Sequence, residues 1–473
     1  MRHRMSLMMV MMAVILAGAE QHAARADEEV PTKRLSVEPA SEPVPALKYR
    51  LLPSFLEERP GNAALLYDTV ALLISDKERS ESFDEVQKLL EQPLDEFSQE
   101  RAQSVLGKLD NVLRYAERAS HRRDCRWELP MEEGPGLLLP QLTRYRQLAR
   151  AIALKARLHV TRGEYEEATS ALQTGFALVR DVSEAPILIH DLVALAIGGL
   201  MLDRVDEFCQ LPGAPNFYWA LSSLPDPVVD IKESLDMEMM GIYLWLPSVG
   251  KAASGQEMTQ EQWTHLWKQT LAELQGLFLA EKARDVETEL QSLGLALVLY
   301  PRAKRGLIDR GLSPEEVEAM PVARAMFMYA LQGYERMRDQ LFKWMYLPYP
   351  LARERLEQAE SALALDTQDR IVAKYLLWPL LPAVERAYFQ EVRFQRRLAA
   401  LRGVEALRMY AASHDSSLPD SLEAVSVVHV PLDPVTGKPF EYHLEGDTAV
   451  LYAPPPDGKP ARDGLKYEIT IRK

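Results

Sequence analysis

The stretch LARAIALKARLHVTRGEYEEATSALQTGFALVRDV, residues 148–182, sets the fold class. Apolar residues recur every three or four positions on both sides of Gly163, the spacing of one helical face. Two helices are predicted, over Leu137–Thr161 and Glu164–Val182, joined at Gly163 and packed as a hairpin. A third, long and apolar, follows over Ala185–Gln210.

The same patterning extends outward. Helices are predicted over Asn62–Ile74, Gln99–Ala119 and Gln260–Tyr300. Ser313-Pro314-Glu315-Glu316 is a helix start: serine caps, proline suits the first turn and Glu316 stands at the reciprocal capping position. Pro321 restarts a helix toward Tyr346. Thr367–His414 is the last helical region, bent or broken near Pro379 and Pro382. After His414 prolines and glycines punctuate short alternating runs, Phe440–Leu444, Thr448–Tyr452 and Lys466–Ile471, with a turn at Glu445-Gly446-Asp447. The expected fold is mainly α: a helical-hairpin body over 47–414 and a small antiparallel β-module over 415–473, with strands confined to about 425–473. Residues 27–46, rich in Pro, Glu and Ser, read as a linker or extended arm.

The chain has 473 residues, 47% apolar and 26% charged, with a net charge of −14. That composition excludes a wholly disordered chain, a collagen-like fibre and a small disulfide scaffold. An acidic surface repels phosphate backbones, so nucleic acid is not an expected partner. The densest basic cluster, Arg118, His121, Arg122, Arg123 and Arg126, is short and reads as a solvated helix end.

The N-terminus reads as a signal peptide over residues 1–26. Arg2 and Arg4 precede the apolar run Met5–Ala17, and Ala24-Arg25-Ala26 offers a cleavage site. The expected location is exported, periplasmic or extracellular. The alternative is an uncleaved anchor. No stable membrane span is expected after cleavage, because Ile187–Leu202, the best remaining run, is broken by His190, Asp191 and two glycines. Cys125 and Cys209 are compatible with one disulfide or with two buried thiols.

The chain carries no nucleophile elbow, metalloprotease helix, P-loop, dinucleotide fingerprint or C-x-x-C pair. No catalytic residue, metal ligand or cofactor is assigned. Candidate binding residues are His190, beside Asp191 on an apolar helix; Phe217, Tyr218 and Trp219, between prolines as if lining a groove; and Asp230 and Glu233, carboxylates on one helix face. Each has a plainer reading, as a core histidine, corner packing and a solvated acidic face. Trp344, Tyr346 and Tyr349 read as a packed corner between helices. Asp433 caps the turn into a strand, and Asp433 and Asp447 are carboxylates available to calcium.

Ala156, Gly163, Tyr165 and Ala168 resemble the small and aromatic positions of one tetratricopeptide unit, and no second copy follows at a fixed period. The segments CRWELPMEEGPGLLLPQL, GAPNFYWALSSLP, KWMYLPYP and EALRMYAASHDSSLPDSL resemble an uncharacterised family of large exported bacterial proteins. That resemblance runs from about Leu47 to the C-terminus and implies a helical body, a β-module and an envelope or extracellular location. Leu418-Pro419-Asp420-Ser421-Leu422, Asp433-Pro434, Gly437-Lys438-Pro439-Phe440 and Tyr442 are similar to the globular end of type II secretion pseudopilins. The chain departs from those proteins elsewhere, lacking their processing motif and long membrane helix.

The expected function is a non-catalytic, exported protein-interaction scaffold of the cell envelope, with envelope proteins or peptides as partners. One alternative is an enzyme whose site assembles from Asp230, Glu233, His190 and Arg204. Another is a structural component of a secretion or surface assembly, self-associating through its sheet edge.

Overall fold

The structure is a computed structural model that describes residues 29–74, 77–131, 139–278, 297, 299–365 and 384–472. The signal segment 1–26 and the bend at Pro379 and Pro382 lie outside the described residues. The fold is mainly α with a small sheet built largely from the C-terminus. Among the described residues no helix is long and apolar enough to cross a membrane.

The central hairpin forms as its pattern dictates. Helices span Gln141–Thr161 and Tyr165–Ser183. Gly163 adopts φ +72° between them. Its N–H donates to Val160 O and that of Glu164 to His159 O, the paired bonds that close a helix at a left-handed glycine. The third helix, Leu188–Phe208, is buried on nearly every side, which explains why its apolar residues follow no single stripe. Glycines set its close contacts: a Cβ on Gly175 would meet Met201 Sδ at 2.1 Å, and one on Gly198 would meet the Phe394 ring at 2.6 Å. The predicted helix Gln99–Ala119 is two helices, Gln99–Lys108 and Asp110–Ser120, interrupted at buried Leu109.

Two compact units result. His22–Glu128, Leu139–Ile231 and Ala387–Lys473 make one, and Lys232–Arg386 is the main part of the other. In the second unit Trp263, Trp267 and Phe327 anchor the core. Its capping box is present: Glu316 N–H donates to Ser313 Oγ at 3.2 Å, and Ser313 N–H to Glu316 Oε2 at 2.9 Å.

The sheet corrects two expectations. Its strands are β1 (Thr32–Val37), β4 (Glu441–Glu445), β5 (Thr448–Ala453) and β6 (Leu465–Ile471), in the order β1-β6-β5-β4. β4, β5 and β6 pair antiparallel as predicted. β1 pairs parallel to β6, so the sheet is mixed, and strands are not confined to 425–473. The expected linker at 27–46 therefore contains an edge strand. Its signal is Lys33, Leu35 and Val37 turned toward the body, a period of two brief enough to be lost among flanking prolines. A second ladder, β2 (Arg59–Asn62) with β3 (Arg122–Asp124), forms from sequences with no strand pattern at all.

The β-region does not stand apart at residue 414. It shares a unit with the helical hairpin, and buried charge ties them. On the long helix Val384–Ala412, Arg397 donates to Gly199 O, Asp203 and Asp206. Asp206 also accepts from Tyr467 Oη of β6 at 3.0 Å and from Lys33 Nζ of β1 at 2.5 Å.

Candidate functional site

The six residues singled out in the sequence do not form one site. His190 is buried, its Nδ1 lies 3.2 Å from Val182 O, and its ring packs 6.1 Å from that of Trp127. Phe217 and Tyr218 are buried and Trp219 is half-buried. Phe217 stacks on Phe208 at 4.4 Å, and its N–H donates to Glu405 Oε2. Tyr218 Oη donates to His429 O, and Trp219 Nε1 to Glu42 Oε1. These aromatics knot one corner of the core. Asp230 and Glu233 are exposed and belong to different units. Arg204 pairs with Glu207 at 3.0 Å. The calcium reading of Asp433 gives way to an internal cation, Arg396, which takes both carboxylate oxygens. Among the described residues no group of three or more His, Cys, Asp or Glu is placed to hold a metal ion.

The geometry instead draws attention to a corner of the larger unit made of residues 53–72 and 118–128. Its foundation is buried and polar. Tyr67, on the inner face of helix Ala63–Ile74, donates its hydroxyl to Asp181 Oδ2 at 2.9 Å. Trp127 Nε1 donates to Asp181 O at 2.7 Å. Arg180 donates to Asp181 Oδ1 at 2.8 Å and to the carbonyls of Ser120 and Arg122. Tyr67, Trp127 and Tyr145 pack ring against ring at 5.2–6.3 Å. Burial raises Asp181 to about 7 against the pull of Arg180, and lowers His190 to about 4.

A second layer of bonds fixes the backbone above this foundation. Arg59 N–H donates to His121 O at 2.7 Å, and the Arg122 guanidinium donates to Pro60 O. Asn62, the last residue of β2, ties the chain just past β3 to the start of the next helix, donating to Arg126 O and accepting from the N–H groups of Arg126 and Ala64. Gly61 holds φ +122°, a conformation that L side chains rarely adopt, with Arg122 Nη1 3.1 Å from where a Cβ would be. The corner is thus rigidly placed although its strands have little pairing of their own.

Its outer surface is apolar where surfaces are usually polar. Phe55 and Leu56, at the tip of the Ser54–Glu57 turn, are 73% and 92% exposed. Leu65 and Leu72, seven residues apart on the outer face of helix Ala63–Ile74, are 66% and 70% exposed. The Arg123 guanidinium lies 5.9 Å from the Phe55 ring centroid. Arg59, Arg123 and Arg126 are exposed and hold no ion pair among the described residues. Asp124 and Glu128 are also exposed, and neither forms an ion pair among the described residues. Partial burial and the Glu128 carboxylate raise the Asp68 carboxyl above its ordinary range.

The sequence predicts a solvated helix end for the basic cluster at 118–126. Arg122 instead braces the ladder while Arg123 points out beside Phe55. The detectable signal was Phe55-Leu56, two bulky apolar residues followed at once by Glu57-Glu58-Arg59. Comparison of the chain with protein-family models, curated proteins and solved structures gives no match.

Proposed function

We propose that this chain is an exported, non-catalytic scaffold of the cell envelope that engages a polypeptide partner at the corner around Phe55. The observation that carries the reading is the exposure of Phe55 and Leu56 on a backbone locked from beneath by Tyr67, Arg122 and Asn62. Exposed apolar clusters rimmed by polar groups are typical of interaction surfaces, and aromatic and arginine side chains are enriched in them. Asp68, Asp124 and Glu128 are exposed on the same segments of chain as the arginines. A polypeptide can answer both signs, whereas an anionic lipid surface would meet those carboxylates unfavourably. Export rests on Arg2, Arg4, the apolar run Met5–Ala17 and the small residues before Asp27.

The test is a photo-crosslinking residue at position 55 in living cells, with Glu441 on exposed β4 as the control position. Crosslinks to a defined polypeptide from 55 and none from 441 are expected. Equal or absent capture at both positions, with the protein at normal abundance, overturns the proposal. N-terminal sequencing of the recovered chain tests export, with Asp27 as the expected first residue.

A further inference from the structure

We infer that the larger unit holds a preformed site for an extended polypeptide strand, and that the chain's own residues 30–40 fill it in cis as a detachable strap. Main-chain bonds seat the strap. β1 pairs parallel with β6, Lys466 N–H donates to Pro31 O at 3.2 Å, and Arg472 N–H donates to Val37 O at 2.8 Å. Beyond the strand, Ala40 N–H donates to Arg408 O at 3.1 Å, and Arg408 Nε to Glu38 O at 3.0 Å. Alternate side chains are then read one by one. Lys33 donates to Asp203 and Asp206 at 2.9 and 2.5 Å, and Leu35 and Val37 are buried. Glu38 accepts from Gly213 N–H at 2.8 Å. Addition of a strand to a sheet edge, with places for alternate side chains, is a recurrent way of binding peptides.

A guest differs from a fixed part of the fold in what its departure leaves behind. Under the strap, the polar groups of the body keep partners of their own. Asp203 and Asp206 are held by Arg397, and Asp206 also accepts from Tyr467 Oη. Arg408 keeps both oxygens of Glu405 and the Ala214 carbonyl. Asn216, which donates to Ala40 O, also donates to Glu405 O and accepts from Tyr218 N–H. Glu468, which pairs with Arg34, also pairs with Lys466. None of these groups is stranded when the strap leaves, so the site is organised before it is filled, which lowers the cost of filling it. The chain leaves the site through an exposed link that contains Val44. A strap tethered so closely stands at an effective concentration of about millimolar and shuts out weaker strands from outside. The ligand class is set by the strap itself: an extended polypeptide with a cation, aliphatic residues two and four positions later, and then a carboxylate. No residue of this site belongs to the corner around Phe55, so the two stand or fall separately.

The experiment uses the full-length mature chain with a protease site inserted at Val44, folded first and then cut. The severed strap is expected to exchange with a labelled peptide of residues 29–42, read by fluorescence anisotropy, while the body keeps its near-ultraviolet circular dichroism. The uncut chain should bind the same peptide about a hundredfold more weakly, because the tethered strap competes. Two peptide variants test the recognition. Lys33→Glu sets a third carboxylate against Asp203 and Asp206, and Val37→Asp buries a charge, so each should weaken binding to the cut chain about tenfold or more. A severed strap that neither leaves nor exchanges after overnight dilution overturns the inference. So does a body that loses its tertiary signal once the strap has gone, a peptide bound equally by cut and uncut chains, or peptide variants bound as tightly as the parent.

Discussion

Arg396 lays its guanidinium along both carboxylate oxygens of Asp433, at 2.9 and 2.7 Å, with both side chains almost fully buried. The same guanidinium donates to Asp463 O and Pro454 O, and Asp433 also accepts from Val435 N–H and the Thr436 hydroxyl. One pair therefore pins the turn at 433–438 and the 454–463 loop to the long helix. Removing one partner leaves an uncompensated buried charge. Asp433→Ala should cost about 3–5 kcal/mol and speed hydrogen exchange across β5 and β6. Deletion of 415–473 should likewise destabilise the larger unit, because it strands Arg396 and strips β1 of its partner β6. A deletion variant that melts like the intact chain would show the sheet to be dispensable.

Phe217 separates a packing role from a binding one. It stacks on Phe208 and lies 5.7 Å from the ring of Tyr49, with no exposed surface. Phe217→Ala should cost about 3–5 kcal/mol, the range for deleting a large aromatic from a close-packed core. Denaturant unfolding measures it. A loss below about 1 kcal/mol would contradict the packing described here.

The contrast between these residues explains what could be read in advance. Helices over 141–161, 165–183 and 188–208 follow from periodicity and from one glycine, because local sequence is enough to specify them. The hairpin of β4 and β5 follows from its turn, Gly446-Asp447. β1 does not follow, since it lies more than 400 residues from its partner and is held by Asp203 and Asp206 through Lys33. Aromatics between prolines are equally at home in a groove or a knot; it is the bond to Glu405, distant in sequence, and the stack on Phe208 that make Phe217 a knot. The corner at Phe55 was missed because exposure is not encoded in residue type. Phe55-Leu56 would be unremarkable in a core, and the Arg-rich run at 118–126 resembles any helix end until Arg122 is seen bonded to Pro60.

Cys125 and Cys209 are both free and buried, in separate surroundings. Burial, with Asp181 and Glu184 nearby, raises the Cys125 thiol. Cys209, which donates to Asp206 O at 3.2 Å, is raised by burial and by Glu405. Thiols held in the protonated form and away from solvent react slowly. A thiol reagent should label neither cysteine in the native protein and both in denaturant, and reducing agent should not shift the melt. Recovery of a 125–209 disulfide peptide from the native chain would refute this arrangement.

His190 and Asp181 should give opposed responses to acid. Burial lowers native His190 to about 4 against 6.5 for an ordinary histidine, so below pH 6.5 the unfolded chain takes up a proton that the native chain does not. Its contribution is intact above 6.5 and is lost progressively as pH falls to about 4. Burial raises native Asp181 to about 7 against 3.8, with Arg180 and Tyr67 acting the other way, so here the native chain is protonated first. Its contribution is intact below 3.8 and is lost as pH rises through 7. Across pH 4–6.5 the two slopes partly cancel in the intact protein, and single variants separate them. Between pH 7 and 4.5 the stability gap between wild type and His190→Gln should narrow by about 2–3 kcal/mol. Over the same interval the gap between wild type and Asp181→Asn should widen, because the variant loses the proton uptake that favours the native state in acid. Urea unfolding at the two pH values measures both gaps. Gaps that do not change with pH would mean that neither group titrates differently in the folded and unfolded chain, and that the foundation of the Phe55 corner is indifferent to acid.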